Sequence, residues 1–164
     1  MITASGQSPP IRSLGDIQDF YARYVEALDE ERFDAWPGFF SDDCVYQVIT
    51  RENFKSGFPL CVIRADGKGM LLDRIQGVLK TQMYRPRTCR RFNSGIRLTG
   101  SVENGYEIRQ NVMLIETLDG ELPRILICGV SYDRIQRISG ELYLQQRVVV
   151  ADHELIDNSL IFPV

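Results

Sequence analysis

The sequence predicts an α+β domain in which a curved, mainly antiparallel sheet wraps around helices. Three observations lead there. Residues Gly105 to Val150 read as three consecutive strands joined by short reversals. Helical patterns come before them, so helices and strands are segregated along the chain rather than interleaved. A further strand, Cys44 to Thr50, and a long extended stretch, Arg87 to Leu98, add width to the sheet. A sheet of that size that curls around its helices forms a cone with one open mouth.

Each element has its own signal. Residues 1–12 carry Gly6, Pro9 and Pro10 and read as a loose arm, with one domain over 13–164 and an apolar-rich tail over 151–164. Ser13 and Asp16 resemble a capping box. The helix they would open carries Leu14, Ile17, Phe20, Tyr21, Tyr24, Val25 and Leu28 as one apolar stripe. A second short helix is expected through Phe33, Trp36, Phe39 and Phe40, followed by a turn at Ser41-Asp42-Asp43. In the next strand Cys44, Tyr46 and Val48 share one face, and Val45, Gln47 and Ile49 the other. Arg51-Glu52-Asn53 follow its end, Gly57 and Pro59 break the chain, and Leu60 to Ile63 is extended. A third helix fits Met70 to Lys80.

In the three-stranded core, Tyr106, Ile108, Val112 and Leu114 share a parity with Gln110 among them. Arg124 to Tyr132 is apolar on both faces and belongs in the sheet's middle. Leu142, Leu144, Val148 and Val150 alternate with Tyr143, Gln145 and Arg147. Asn104-Gly105, Asp119-Gly120 and Ser139-Gly140 supply the reversals.

Composition narrows the function. The chain is 164 residues long, 44% hydrophobic and 25% charged, with net charge −3. That suits one domain with a sizeable core and argues against a general nucleic-acid binder. No run approaches membrane-spanning length, and residues 1–10 hold no apolar signal-peptide core. The four cysteines, Cys44, Cys61, Cys89 and Cys128, show no C-x-x-C spacing, and His153 is the single histidine, so a Cys/His zinc site is not expected. The thiols, most of them within apolar strand patterns, read as reduced core residues of a cytoplasmic protein. Arg85, Arg87, Arg90 and Arg91 form a basic cluster, read as a solvated strand edge or a protein interface before a phosphate site.

Catalytic signals are sparse. Gln110 and Gln146 interrupt apolar strand faces, but amides do not titrate. No Asp or Glu is expected on a buried strand face. Dinucleotide, phosphate-loop and nucleophile-elbow motifs are missing. Were the chain a stand-alone isomerase or dehydratase of the cone type, Tyr24, Tyr46 and His153 would have to carry its chemistry. A small-molecule binding module is the remaining alternative.

An ordered set of motifs then gives a resemblance. Trp36-Pro37-Gly38-Phe39-Phe40, Asp43-Cys44-Val45-Tyr46, Thr50-Arg51-Glu52-Asn53 and Gly57-Phe58-Pro59-Leu60 follow one another. Met70-Leu71-Leu72-Asp73-Arg74-Ile75 and the closing Asn158-Ser159-Leu160-Ile161-Phe162-Pro163-Val164 complete the set. In order and spacing this resembles the small (β) subunits of aromatic-ring-hydroxylating dioxygenases, nearest the branch serving salicylate, anthranilate or terephthalate. One departure is visible: relatives commonly carry Arg-His and Ser-Asn where this chain has Arg90-Arg91 and Ser94-Gly95.

The resemblance implies a cone fold of the NTF2-like or ketosteroid-isomerase-like type. It implies a non-catalytic structural subunit of a terminal oxygenase, in an α3β3-type assembly with other copies of itself and a large (α) subunit. No partner role for nucleic acid or membrane is implied. The Rieske 2Fe–2S cluster and the mononuclear iron are expected on the α subunit and no cofactor on this chain. One histidine cannot supply the ligands either centre needs. Arg51, Glu52, Asn53, Asp73, Arg74 and Arg90 are the expected polar interface residues, with Leu160 and Phe162 as apolar ones.

Overall fold

The apolar stripe at helical spacing becomes α1, Leu14–Asp29, in a computed structural model that describes residues 14–81, 83–102, 104–154 and 160–164. Ser13 lies outside the described residues. Ile17, Phe20, Tyr21, Tyr24 and Leu28 are buried, whereas Leu14 is exposed and marks the end of the stripe. The helix stops at Glu31, whose φ of 57° is left-handed, and Arg32 N–H returns to the Ala27 carbonyl at 2.8 Å.

Residues 36–43 depart from expectation. There is no second α-helix, only a 3₁₀ turn, Trp36–Phe39, because Pro37 fits a first turn but cannot continue a helix interior. Strand β1, Phe40–Thr50, therefore starts at Phe40 and absorbs Ser41-Asp42-Asp43 as an irregularity in its pairing. At its end Thr50 becomes the cap of a short helix, α2, Arg51–Ser56, which the sequence reading left as polar residues. The Thr50 hydroxyl accepts from Asn53 N–H at 3.4 Å, and Gly57 closes the helix at φ 68°. Strand β2, Cys61–Asp66, leads into α3, Lys68–Gln76, which ends in a π-helical turn, Gly77–Thr81.

Four long strands follow: β3 (Arg87–Val102), β4 (Gly105–Leu118), β5 (Arg124–Ile138) and β6 (Glu141–Ala151). The sheet order is β2-β1-β6-β5-β4-β3, antiparallel except for the β1–β6 pair. The expected α+β class and mainly antiparallel sheet are what the chain adopts. α1, α3 and Leu160–Val164 bury their apolar side chains in one cluster with the inward residues of the strands. A smaller cluster, Ile49, Val148 and Val150, with Cys61 against it, lies on the opposite face.

That smaller cluster exposes a correction. The sequence places Leu144, Val148 and Val150 on one face and Arg147 on the other. Pairing between β5 and β6 shifts register between Arg134 and Ile135, so alternation changes parity after Leu144. Arg147, Val149 and Ala151 thereby turn inward with Leu144 and are at most 1% exposed. A one-residue slip moves every following side chain to the other face. Gln146, expected to interrupt a buried face, is only half-buried on the outer one.

Candidate functional site

Three strands bring polar side chains to the centre of the inner face. Gln110 from β4, Ser131 and Asp133 from β5 and Arg147 from β6 are all nearly inaccessible. Asp133 Oδ2 accepts from Tyr21 Oη and Arg147 Nη1, each at 2.7 Å, and from Gln110 Nε2 and Ser131 Oγ, each at 3.1 Å. The Arg147 guanidinium lies 4.8 Å from the Tyr24 ring centroid and 5.9 Å from that of Tyr21. A buried carboxylate was not expected. Asp133 lies beyond Tyr132, where the sequence reading ended β5, so it was never assigned to a strand face.

Glu116 is a second such correction, since it continues the parity of Ile108, Val112 and Leu114 along β4 and is buried with them. It is 1% exposed and is held by Arg87 Nη1 at 2.5 Å and by Arg124 Nη2 at 2.7 Å. The basic cluster is therefore taken apart by the fold. Arg87 goes to Glu116, Arg91 turns inward to Asp29, and Arg85 pairs with Glu121. Arg85 and Arg90 stay exposed, the latter 3.9 Å from Asp29.

A second inward group closes around Leu160–Val164. Tyr24 Oη donates to the Val164 carbonyl at 2.7 Å and accepts from Trp36 Nε1 at 2.9 Å. Tyr46 Oη accepts from Val164 N–H at 2.8 Å. Arg91 donates to the Pro163 carbonyl from Nε at 3.1 Å and Nη2 at 2.5 Å, and from Nη1 to Asp29 Oδ1 at 2.7 Å. Arg74 Nη2 reaches the carbonyls of Leu160 and Ile161 at 2.7 and 3.1 Å. The Phe162 ring lies 4.7 Å from Phe33 and 5.3 Å from Tyr84, centroid to centroid.

Burial and neighbouring charges shift the interior tyrosines and two of the arginines. Burial, then the Asp133 carboxylate, pushes the Tyr21 hydroxyl well above its ordinary range. Burial likewise raises Tyr24 and Tyr46. Burial alone would lower Arg147, but Asp133 and the neighbouring tyrosines outweigh it and the guanidinium is held more firmly protonated. Arg74 is lowered by burial, with Tyr46 opposing. None of these groups is poised to exchange a proton in catalysis. Tyr24 and Tyr46 are spent on the chain's own backbone. His153 stands half-buried in the turn after β6, beside Asp152, which pairs with Arg51 instead.

The other expected site residues are scattered. Arg51 and Glu52 are exposed on α2, and Asn53 Nδ2 ties back to the Leu60 carbonyl at 3.0 Å. Asp73 is exposed on α3, next to the inward Arg74. Leu160 and Phe162 are 6% and 4% exposed, within the chain's own core; Leu155 and Ile156 lie outside the described residues. Of the cysteines, Cys44 and Cys89 are buried and Cys61 is partly so, but Cys128 is exposed, because it shares β5's outer face with Tyr132. Among the described residues no three His, Cys, Asp or Glu side chains gather as a metal site. The residues present do not fit a Rieske cluster or a facial-triad iron, which need at least two histidines.

The fold and its interior define a class: a cone-shaped α+β domain whose interior holds a buried ion pair, aromatic rings and the segment Leu160–Val164. No family model matches the chain. The solved beta subunit described as that of an aromatic-ring-hydroxylating dioxygenase from Novosphingobium aromaticivorans is 32% identical, covers 90% of this chain and 94% of its own, and has a TM-score of 0.82. The anthranilate 1,2-dioxygenase small subunit of Burkholderia cepacia is 25% identical, with 87% and 88% of the two chains covered. A terephthalate 1,2-dioxygenase terminal oxygenase beta subunit of Comamonas is 27% identical, with 90% and 96% covered. A protein from N. aromaticivorans described as a scytalone dehydratase shares the fold alone, at 17% identity and TM-score 0.66, with 90% and 92% covered. The chain belongs to the beta subunits of aromatic-ring-hydroxylating dioxygenases, and is thus a component of an oxidoreductase.

Proposed function

We propose that this chain is a non-catalytic, structural subunit of a terminal oxygenase that works on an aromatic compound in its degradation. It would pack with further copies of itself and with a large α subunit in an α3β3-type assembly. The α subunit would carry the Rieske cluster and the mononuclear iron. The observation that supports this reading best is how the interior tyrosines are used. Phe162 and Val164 are buried beside them, and the Tyr24 and Tyr46 hydroxyls are committed to the Val164 backbone.

The outer surface supports the same reading. Phe54, Phe58, Leu60 and Val62, on and just after α2, are 44%, 56%, 67% and 43% exposed. The polar Arg51, Glu52 and Asn53 precede them directly. Apolar side chains edged by charge are the composition of an interface core and rim. Asp73 and Arg90 are the further polar contacts we assign to assembly; Arg74, Leu160 and Phe162 would act indirectly, by holding the tail in place.

Co-expression with a large subunit tests the proposal. The two chains should co-purify as one large complex with the brown absorbance of a Rieske centre. Turnover of an enone or a hydroxylated ring by this chain alone, lost on His153→Ala, would instead make it a stand-alone enzyme.

A further inference from the structure

Leu160–Val164 lies in the interior as an extended segment. Among the described residues, the polar contacts made to it end on backbone atoms: the carbonyls of Leu160, Ile161, Pro163 and Val164, and the Val164 N–H. The side chains that make them come from four different elements, Tyr24 from α1, Tyr46 from β1, Arg74 from α3 and Arg91 from β3. The segment pairs with no strand of the sheet, so its place is set by these side chains and by apolar pockets. Phe162 fills one such pocket between Phe33 and Tyr84. Backbone contacts for affinity and a side-chain pocket for selection is the logic by which proteins read extended peptides.

The receiving groups are costly to leave empty. Arg74 is largely desolvated, and the acceptors its guanidinium meets are the Leu160 and Ile161 carbonyls. Buried donors without acceptors are strongly disfavoured. The site is thus complementary to an apolar peptide with free carbonyls and an aromatic residue third in a run of five.

We propose that Leu160–Val164 behaves as a tethered peptide ligand, separable from the folding of the rest of the domain, in a site that accepts the same sequence from a separate molecule. This stands apart from the oxygenase-subunit reading and does not require it. The test uses the full chain. In Phe162→Asp, which leaves every receiving side chain in place, exchange of the Val164 N–H that Tyr46 holds should accelerate at least about a hundredfold, while β4 and β5 keep their protection. A fluorescent Leu-Ile-Phe-Pro-Val peptide should then bind this variant and not the wild type. Phe162→Ala should show the same pattern more weakly and serves if Phe162→Asp does not fold. If protection fell equally in β4 and β5, the segment would be ordinary core and the proposal would fail. Released ends without uptake of the added peptide would also overturn it.

Discussion

Asp133 and Arg147 form an ion pair with side chains 0% and 1% exposed, and the rest of the inner face is arranged around it. Removing one member leaves the other charged and desolvated, which costs about 3–5 kcal/mol, whereas replacing both by apolar residues of like volume is often close to neutral. Asp133→Asn and Arg147→Met should therefore each lower the denaturation midpoint strongly. Asp133→Leu combined with Arg147→Met should recover much of the loss, as read by urea titration. The tyrosines give a pH test. Tyr21, Tyr24 and Tyr46 have raised values when folded against an ordinary 10.0 when unfolded. The unfolded chain releases their protons first, so their stabilising contribution is full below pH 10 and is lost as pH rises beyond it. Thermal melts should fall steeply above about pH 10, and Tyr24→Phe should flatten that fall. Burial likewise pushes the Cys89 thiol up to about 11. At pH 8 a thiol reagent should modify the exposed Cys128 and leave Cys89 untouched until the chain unfolds.

The departure from relatives has a physical reading at this scale too. Gly95 sits at φ 61°, where the pairing of β3 with β4 shifts. Gly adopts this left-handed backbone without strain, and a Cβ there would come to 3.2 Å from Asn111 Nδ2. Arg91, in place of the relatives' His, is an intrachain strut between Asp29 and Pro163 and not a surface contact.

At the scale of elements, backbone irregularities decide which side chains meet. All six strands take part in register shifts. Gly129 shows how tight the result is. A Cβ there would overlap the Val150 carbonyl oxygen of the neighbouring strand. Gly129→Ala should cost about 1–3 kcal/mol, typical of forcing atoms into a packed site, with exchange protection lost first between β5 and β6. Periodicity made the cores of α1, β1 and β4 legible, but not that of β5, where both faces read as apolar and Ile125, Cys128 and Tyr132 are exposed. It failed at Arg147, because a bulge leaves no mark on hydrophobic alternation when both faces are partly apolar. Asp133 lies just past Tyr132, the expected end of its strand, whereas Glu116 keeps the parity of Val112 and Leu114 and is compensated by Arg87 and Arg124 from the two neighbouring strands. The α2 helix had a readable signal, Thr50 as cap and Gly57 as stop.

At the scale of the whole molecule, assembly is what the outer surface should report. Leu60, 67% exposed, is free of any structural duty that a charge would disturb. Leu60→Asp should leave the unfolding free energy within about 0.5 kcal/mol of wild type, as surface changes do. Yet it should weaken co-purification with a large subunit at least about tenfold, the cost of burying an unpaired carboxylate at an interface. Pull-down yield against that partner, with circular dichroism as the control for folding, gives the answer.

The sequence by itself determined the α+β class, the order of most elements and the poverty of metal ligands, because periodicity, turn chemistry and residue counts are local or additive quantities. The ordered motifs also determined the family expectation. Only the tertiary structure decided that Asp133 meets Arg147, that the basic cluster splits between two faces, and that Leu160–Val164 lies in the interior. Those facts depend on strand register and on contacts between residues more than a hundred positions apart, such as Tyr21 with Asp133 and Tyr24 with Val164, and no local pattern in a chain encodes such a meeting.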